Sequence, residues 1–557
     1  QMNIDIHNAY HQEIDSDLYV SPVGDDANDG LSPSSPLKTI HEAIYRIAPD
    51  SLSQNAVHLL PGTYSRTDND QVFPIALKSW TFVQGSGIDN TEVIGSPHPL
   101  IPAGYGSSDT VFMTHSQLVI TLANLSVTTH NTINDTVIMG VRSGSLNLSD
   151  FRIHDVNPNW TASIQLWLEN QHDSNWDNLI IENIETSERG AVSVYQGTLY
   201  GAMSGRISNS VFRNLESSYT SASVWADPLI QIIGDKHLYF DNCLFSNLSM
   251  ADDNSSAVVI GGIQFPQQSN QFSFSSCLFM NIRSQNDMIT FSSPNNPIIK
   301  ITNCTFAGNE GNAYTLQVKG NVSIANSVFD NDTPYQVKVM PISGTDDVST
   351  LNIDHSFIKD GYAGIQQAAG NTINYSETNI AGNPLFLGGE DIHDPLYYSL
   401  SALSPCINTG TLDTLGLFLL PYDLAGNQRV WDGCIDMGCF EFGAPPVAND
   451  DPSAPFIPVA SLAAYPNPFA AFTNLRVSLP SYGRRGTDPV SAAHINIYNV
   501  KGQLVKTIEL DPHKSGEQYT HWDGRDTGNL RCASGIYLMS LVVDGVRVSS
   551  KKVTLLR

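Results

Sequence analysis

Nine times between residues 124 and 357 an Asn, Asp or Ser is followed three positions later by a large apolar side chain, often with another Asn two positions further on. The copies start at Asn124, Asp150, Asn178, Asn209, Asn242, Ser276, Asn303, Asn326 and Asp354. Their apolar anchors are Val127, Ile153, Ile181, Phe212, Phe245, Phe279, Phe306, Phe329 and Phe357. Successive copies lie 23 to 34 residues apart. A period of that length marks stacked supersecondary units. The uneven spacing argues against propeller blades and helical pairs. It suits a solenoid of short strands, in which each strand pairs with the coils above and below while the loops between strands lengthen freely.

Side chains alternate along a strand, so the residue two before each anchor shares its inward face. Those positions hold Leu125, Phe151, Leu179, Ser210, Cys243, Cys277, Cys304, Ser327 and His355, mostly apolar or small. Asn three before the anchor tolerates left-handed backbone and can bond its equivalent on the next coil, which predicts a ladder of turns. Cys243, Cys277 and Cys304 then form an interior column of buried thiols. Coils about 4.8 Å apart present parallel side chains that converge poorly on a tetrahedral ion, which disfavours a metal there.

Composition agrees with strands and turns. The chain has 557 residues, too many for one ordinary core, and only 15% are charged. Net charge is -27 and unevenly spread. Residues 459–557 carry 12 Lys and Arg against 7 Asp and Glu, or +5, leaving 16 against 48, or -32, for the rest. An acidic body argues against nucleic acid as a partner. No apolar run approaches the roughly 20 residues of a membrane span. A chain that begins at Gln1 is expected to have lost a signal peptide and to lie outside the cytoplasm. Seven cysteines, an odd number, leave at least one thiol free or paired between chains.

Leu18-Tyr-Val-Ser-Pro22, Gly24-Asp-Asp-Ala-Asn-Asp-Gly30, Pro36-Leu-Lys-Thr-Ile40 and Leu60-Pro-Gly-Thr-Tyr64 resemble the opening of secreted pectate-lyase-like β-helix proteins. The resemblance implies a right-handed parallel β-helix over residues 18–442, with a helix from Thr39 to Ile47 capping its open end. Asn383-Pro-Leu-Phe386, Ser404-Pro-Cys-Ile-Asn-Thr-Gly410, Asp423-Leu-Ala-Gly-Asn-Gln-Arg429 and Ile435-Asp-Met-Gly-Cys-Phe-Glu-Phe442 resemble the closing segment of the same proteins. Cys406, Cys434 and Cys439 fall there and are the disulfide candidates, a staple for the last coil. Residues 1–17 form an N-terminal extension in which Met2 to Ile6 alternates like a strand, and 443–458 read as a Pro-rich linker.

Beyond the linker, Tyr465-Pro-Asn-Pro-Phe469, Ile495-Asn-Ile-Tyr-Asn-Val-Lys-Gly-Gln-Leu-Val505, His521-Trp-Asp-Gly-Arg525 and Ser534-Gly-Ile-Tyr-Leu538 resemble the sorting domain of type IX secretion cargo. Residues 459–557 are therefore expected to form an Ig-like β-sandwich. The resemblance further implies the type IX secretion machinery as a partner and the outer surface of a Gram-negative bacterium as the address.

The chemistry is fainter. In β-helix lyases and hydrolases the active site is a groove along the outside of one sheet, lined by carboxylates that bind calcium or act as acid and base. Neither a polygalacturonase-type Asp pair with its His-Gly and Arg-x-Lys companions nor a pectate-lyase Asp trio is present. The richest stretch is 154–189, with His154 and Asp155 at its start. Its carbohydrate-binding candidates are Trp160, Trp167, His172, Asp173, Trp176, Asp177, Glu182 and Arg189, since Trp faces stack on sugar rings and carboxylates bind hydroxyls. A long loop with Trp as packing explains the same residues.

Asp68, Asn69 and Asp70 are calcium candidates, as are Asp25, Asp26 and Asp29, although turn chemistry accounts for both sets. Lys236 beside His237 is a candidate base. Two functions follow: a structural or adhesive cell-surface protein that assembles with copies of itself into a filament, or a polysaccharide lyase, glycoside hydrolase or glycan-binding protein.

Overall fold

In the computed structural model the corner residues decide the course of the chain. Asn124, Asp150, Asn178, Asn209, Asn242, Ser276, Asn303 and Asn326 all take left-handed backbone, with φ between 47° and 57°. That region is costly for most L-residues and mildest for Asn and Asp. The side chains then bond along the stack. Asn178 Nδ2 donates to Asp150 Oδ1 at 2.7 Å, and Asn242 Nδ2 to Asn209 Oδ1 at 3.0 Å. A second row, Asn183, Asn214, Asn247 and Asn281, is also left-handed and is joined in the same way at 2.9, 3.0 and 3.4 Å.

The structure describes every residue except 1–12, 52–53, 97–108, 116–118, 130–134, 159–161, 169–172, 187–189, 197–202, 219–227, 252–255, 263–270, 285–286, 293–297, 342–347, 390, 413–419, 446–460, 466–468, 470–471, 480–491, 502, 513–515, 529, 544–545 and 557. The strand proposed at Met2 to Ile6 lies outside them. The described chain forms two compact units, 1–447 and 448–557.

The first unit is a right-handed parallel β-helix, with 31 strands among the described residues. Turns divide its wall into three faces. The first face enters the Asn corner and includes Gln271–Ser275, Ile298–Thr302 and Asn321–Ala325, each paired in parallel with the next. The second leaves the corner and includes Leu244–Met250, Leu278–Ser284 and Thr305–Gly311. The third includes Val258–Gly262, Asp287–Ser292 and Tyr314–Lys319.

The predicted anchors point inward. Phe212, Phe245, Phe279, Phe306 and Phe329 stack ring on ring, with centroids 4.9, 4.6, 4.6 and 4.5 Å apart. Each such pair contributes about 0.5–1.5 kcal/mol beyond its buried area. Cys243, Cys277 and Cys304 are buried free thiols beside them, and burial pushes the first two well above the ordinary thiol range. The cap helix is Ile40–Arg46, with Thr39 as its N-cap accepting from Glu42 N and Ile47 as its C-cap.

Two expectations need correction. The last corner sits at His355, φ 41°, so Phe357 pairs with Val328 and Ile358 takes the place under Phe329. Ser356, fully buried, then fills the column assigned to His355. A one-residue slip turns every side chain to the opposite face, and both Asp354 and His355 suit a left-handed corner.

Second, Cys406, Cys434 and Cys439 are all free. Cys406 and Cys439 lie in separate apolar clusters and Cys434 is exposed, so nothing brings a pair together.

The calcium candidates take part in local bonding, as the turn chemistry of both sets leads one to expect. Ser65 Oγ donates to Asp68, Asn69 spans the Ser65 N–H and the Thr63 carbonyl, and Asp70 pairs with Lys38. Asp26 receives the Lys38 and Thr39 amides, and Asp25 and Asp29 close turns. Among the described residues no group of three or more His, Cys, Asp or Glu is arranged to hold a metal. Nor is any described helix long and apolar enough to cross a membrane.

Residues 380–445 return over the second face. Their apolar side chains Tyr398, Phe440, Leu400 and Met437 pack on Leu278, Met280, Ala307, Val328 and Phe357. This closing segment is also bonded to both Asn rows. Asn281 Nδ2 donates to the Ile392 carbonyl, and Asn326 exchanges two 2.7 Å bonds with Thr411. Where Ser276 interrupts the first row, the buried guanidinium of Arg429 donates to its hydroxyl at 2.9 Å.

The second unit pairs a three-stranded antiparallel sheet with a four-stranded one. Both contribute to one core, Leu475, Val477 and Trp522 from the first and Ile495, Ile497, Met539, Leu541 and Val553 from the second, which is the Ig-like sandwich expected.

Candidate glycan-binding groove

Alternation along the strands decides which side chains reach the surface. On the second face the outward residues flank each inward anchor. The column just before the anchors runs Glu92, Ser126, Arg152 and then Ile180, Val211, Leu244 and Leu278. It changes from polar to apolar shortly before the closing segment covers it, so the uncovered stretch is the polar one.

There Glu182 is almost fully buried between two arginines. Its Oε1 accepts from Arg152 Nε and its Oε2 from Arg213 Nε, each at 2.6 Å. Desolvation favours the neutral acid, but the bonds and charges of Arg213 and Arg152 outweigh it and hold the carboxyl below its usual range. His154, next to Glu182 in register, lies 2.8 Å from Asp155 through Nδ1 and 3.5 Å from Glu92 through Nε2. Beside this row opens a cavity of about 270 Å³, lined by Thr63, Asp89, Asn90, Glu92, Arg152 and His154 among others. Its walls offer carboxylates, an amide, a hydroxyl and a guanidinium, groups that bond to hydroxyls.

The predicted cluster at 154–189 is divided by the corner. Glu182, with His154 and Asp155, belongs to the groove on the second face. Asp173 and Asp177 stand on the first face, where Asp173 accepts from His237 Nε2 at 3.1 Å. The His237 ring lies 5.4 Å from Tyr239, on which Arg206 stacks while pairing with Asp241. Asp177 accepts from Ser208 Oγ and Asn209 Nδ2, each at 2.7 Å. Burial, against the pull of those bonds, pushes it up to about 6.

Trp176 is no sugar platform. It is fully buried and its indole N–H donates to the Leu146 carbonyl at 3.1 Å, because its place in the alternation points it inward. Trp167 lies on the third face, in register with Tyr195. Trp160, His172 and Arg189 fall outside the described residues. Lys236 follows Asp235 on the same strand as His237, Ile230–Asp241. On the third face the outward column runs Gln165, Ser193, Gln231, Val259, Thr290 and Gln317, uncharged until Lys338.

Sequence reasoning missed Glu92, Arg152 and Arg213. The signal was present: they stand one position before or after inward residues of the repeat.

A model of the FlgD Ig-like domain matches residues 481–545, within the second unit. No curated protein matches the chain by sequence. Among solved structures, the chain is similar to the A-module of mannuronan C-5 epimerase AlgE6 from Azotobacter vinelandii, at 13% identity over 62% of this chain and 91% of that one, TM-score 0.37. The PL6 family polysaccharide lyase Pedsa3628 from Pseudopedobacter saltans gives 8%, 62%, 92% and 0.33. PfbA, a surface adhesin of Streptococcus pneumoniae, gives 12%, 62%, 87% and 0.31. Overlaps this loose carry no argument about residues or substrate.

Proposed function

We propose that the protein is an exported, cell-surface β-helix that binds glycan in the Glu92–Arg152–His154 groove and acts as an adhesive or structural component. The observation that carries this reading is the lining of the cavity, where Thr63, Asp89, Asn90, Glu92 and Arg152 present fixed donors and acceptors. Glu182 is held ionised by two arginines, and His154 is tied to Asp155 and Glu92. Hydrolysis by paired carboxyls needs one kept protonated as the acid, and Glu182 is pushed the other way. Binding needs only the fixed donors and acceptors. Along the cavity lining Asp89 and Glu92 outnumber Arg152, so the groove favours an uncharged, hydroxyl-rich segment over a polyuronate.

The test is a broad glycan panel read for both binding and product release. Binding without turnover is expected, weakened about tenfold by Arg152→Ala, a loss of roughly 1.4 kcal/mol. Release of oligosaccharides would replace this reading with the enzymatic one, and silence across the panel would end both.

Export by the type IX route is part of the same reading, supported by the motifs between Tyr465 and Leu538 and by the sandwich that carries them. Fused behind a signal-peptide reporter in a bacterium with that machinery, residues 459–557 should deliver the reporter to the cell surface. Retention in the periplasm would remove the sorting role.

A further inference from the structure

The larger sheet of the sandwich has one face in the core and one outside. Leu504, Tyr498 and Leu538 stand side by side across three strands of the outer face, with Lys552 next in the row. Leu504 is 56% exposed, Leu538 40% and the neighbouring Ile536 47%. Lys501 at the adjoining turn is also exposed. An apolar row with lysines at its border is an unusual surface for a domain that stands alone.

A surface of matching character and opposite sign lies on the closing segment of the β-helix. Residues 385–400 fold back on themselves, with the Leu387 amide donating to the Ser399 carbonyl and Gly388 to Tyr397. This loop exposes Leu385 (39%), Leu387 (63%), Ile392 (42%) and Leu396 (51%). Between them stand the exposed Asp391 and Asp394, whose carboxylates fix the turn by accepting the His393 and Leu396 amides.

We propose that the outer sheet face of the sandwich docks on the 385–400 loop of a second copy of this chain. Apolar residues meet at the centre, and lysines meet aspartates at the rim, the arrangement of a specific interface. The charges of the whole units act in the same sense, since +5 over 459–557 faces -32 over the remainder. The two patches are different surfaces, so the contact is heterologous and propagates from chain to chain. This inference is independent of the glycan groove.

Analytical ultracentrifugation of the full chain tests it. At low salt the average mass should rise with concentration beyond that of one chain, and fall back at high salt as the rim charges are screened. Leu504→Glu with Leu538→Glu, both at exposed positions, should abolish the rise, as should Leu387→Lys with Leu396→Lys. The two pairs of substitutions combined should restore it, because Glu then faces Lys. Unchanged tryptophan fluorescence and far-ultraviolet dichroism would verify that each variant is folded. Mass constant at one chain at every concentration, association that persists in either variant, or failure of the combined variant to recover would each overturn the proposal. A salt-dependent change in hydrodynamic radius at constant monomer mass would show the chain's own loop as the occupant and overturn it equally.

Discussion

Asn209 shows how much one residue does in this protein. It holds φ at 50°, accepts from Asn242 and donates to Asp177. Replacing it with Ala keeps a Cβ in left-handed backbone but removes the polar side chain that makes this region tolerable for Asn, and breaks two hydrogen bonds of about 1 kcal/mol each. Asn209→Gly relieves the backbone and loses only the bonds. Chemical denaturation should therefore find Asn209→Ala the less stable by about 1 kcal/mol. Equal losses would mean that the side-chain ladder alone matters. At this scale the sequence was informative wherever a residue type has one strong preference. Asn at a left-handed corner and Phe in an interior column were both legible. His355 was not, because Asp354 and His355 tolerate the same geometry and only the packing of Ile358 beneath Phe329 separates them.

Among the elements, the closing segment depends on the most unusual chemistry. Arg429 Nη1 and Glu441 Oε1 meet in the interior at 3.0 Å, with Asp436 and Asp423 close by. Desolvation outweighs the Arg429 charge and pushes Glu441 up to about 8 from 4.5. The folded state thus retains a proton that the unfolded chain releases between these values, so stability falls as pH rises through that window. Hydrogen exchange over 380–445 should accelerate from pH 5 to pH 8 beyond its intrinsic base-catalysed rise. Glu441→Gln, permanently neutral, should remove the excess, and an excess that survives it would assign the effect elsewhere. Removing the cation is harsher, because Arg429→Met takes the buried counter-charge from Asp423 and Asp436 and the hydrogen-bond partner from Glu441, and chemical denaturation should find a loss of about 3–5 kcal/mol. The motifs of this segment were recognisable, but its position on the second face was not, because the outward residues it covers are spaced in sequence like any surface of the coil.

For the whole molecule, the sequence alone determined a stack of coils, a helical cap, a change of charge near residue 459 and a strand-rich second unit. The stack follows from local preference repeated many times, so no single position has to be placed correctly, whereas the cap and the second unit were implied by resemblance to the motifs of known families. Only the tertiary structure decided the location of the groove. Two outward residues from one coil, a neighbour from the next and a loop near Asp89 line one cavity because parallel pairing sets the register between segments some thirty residues apart. The same register divided Asp177 from Glu182 across a corner and turned Trp176 inward. Residues close in sequence were separated and distant ones joined, since facing direction and neighbouring coil, which sequence proximity does not specify, govern contact in a solenoid.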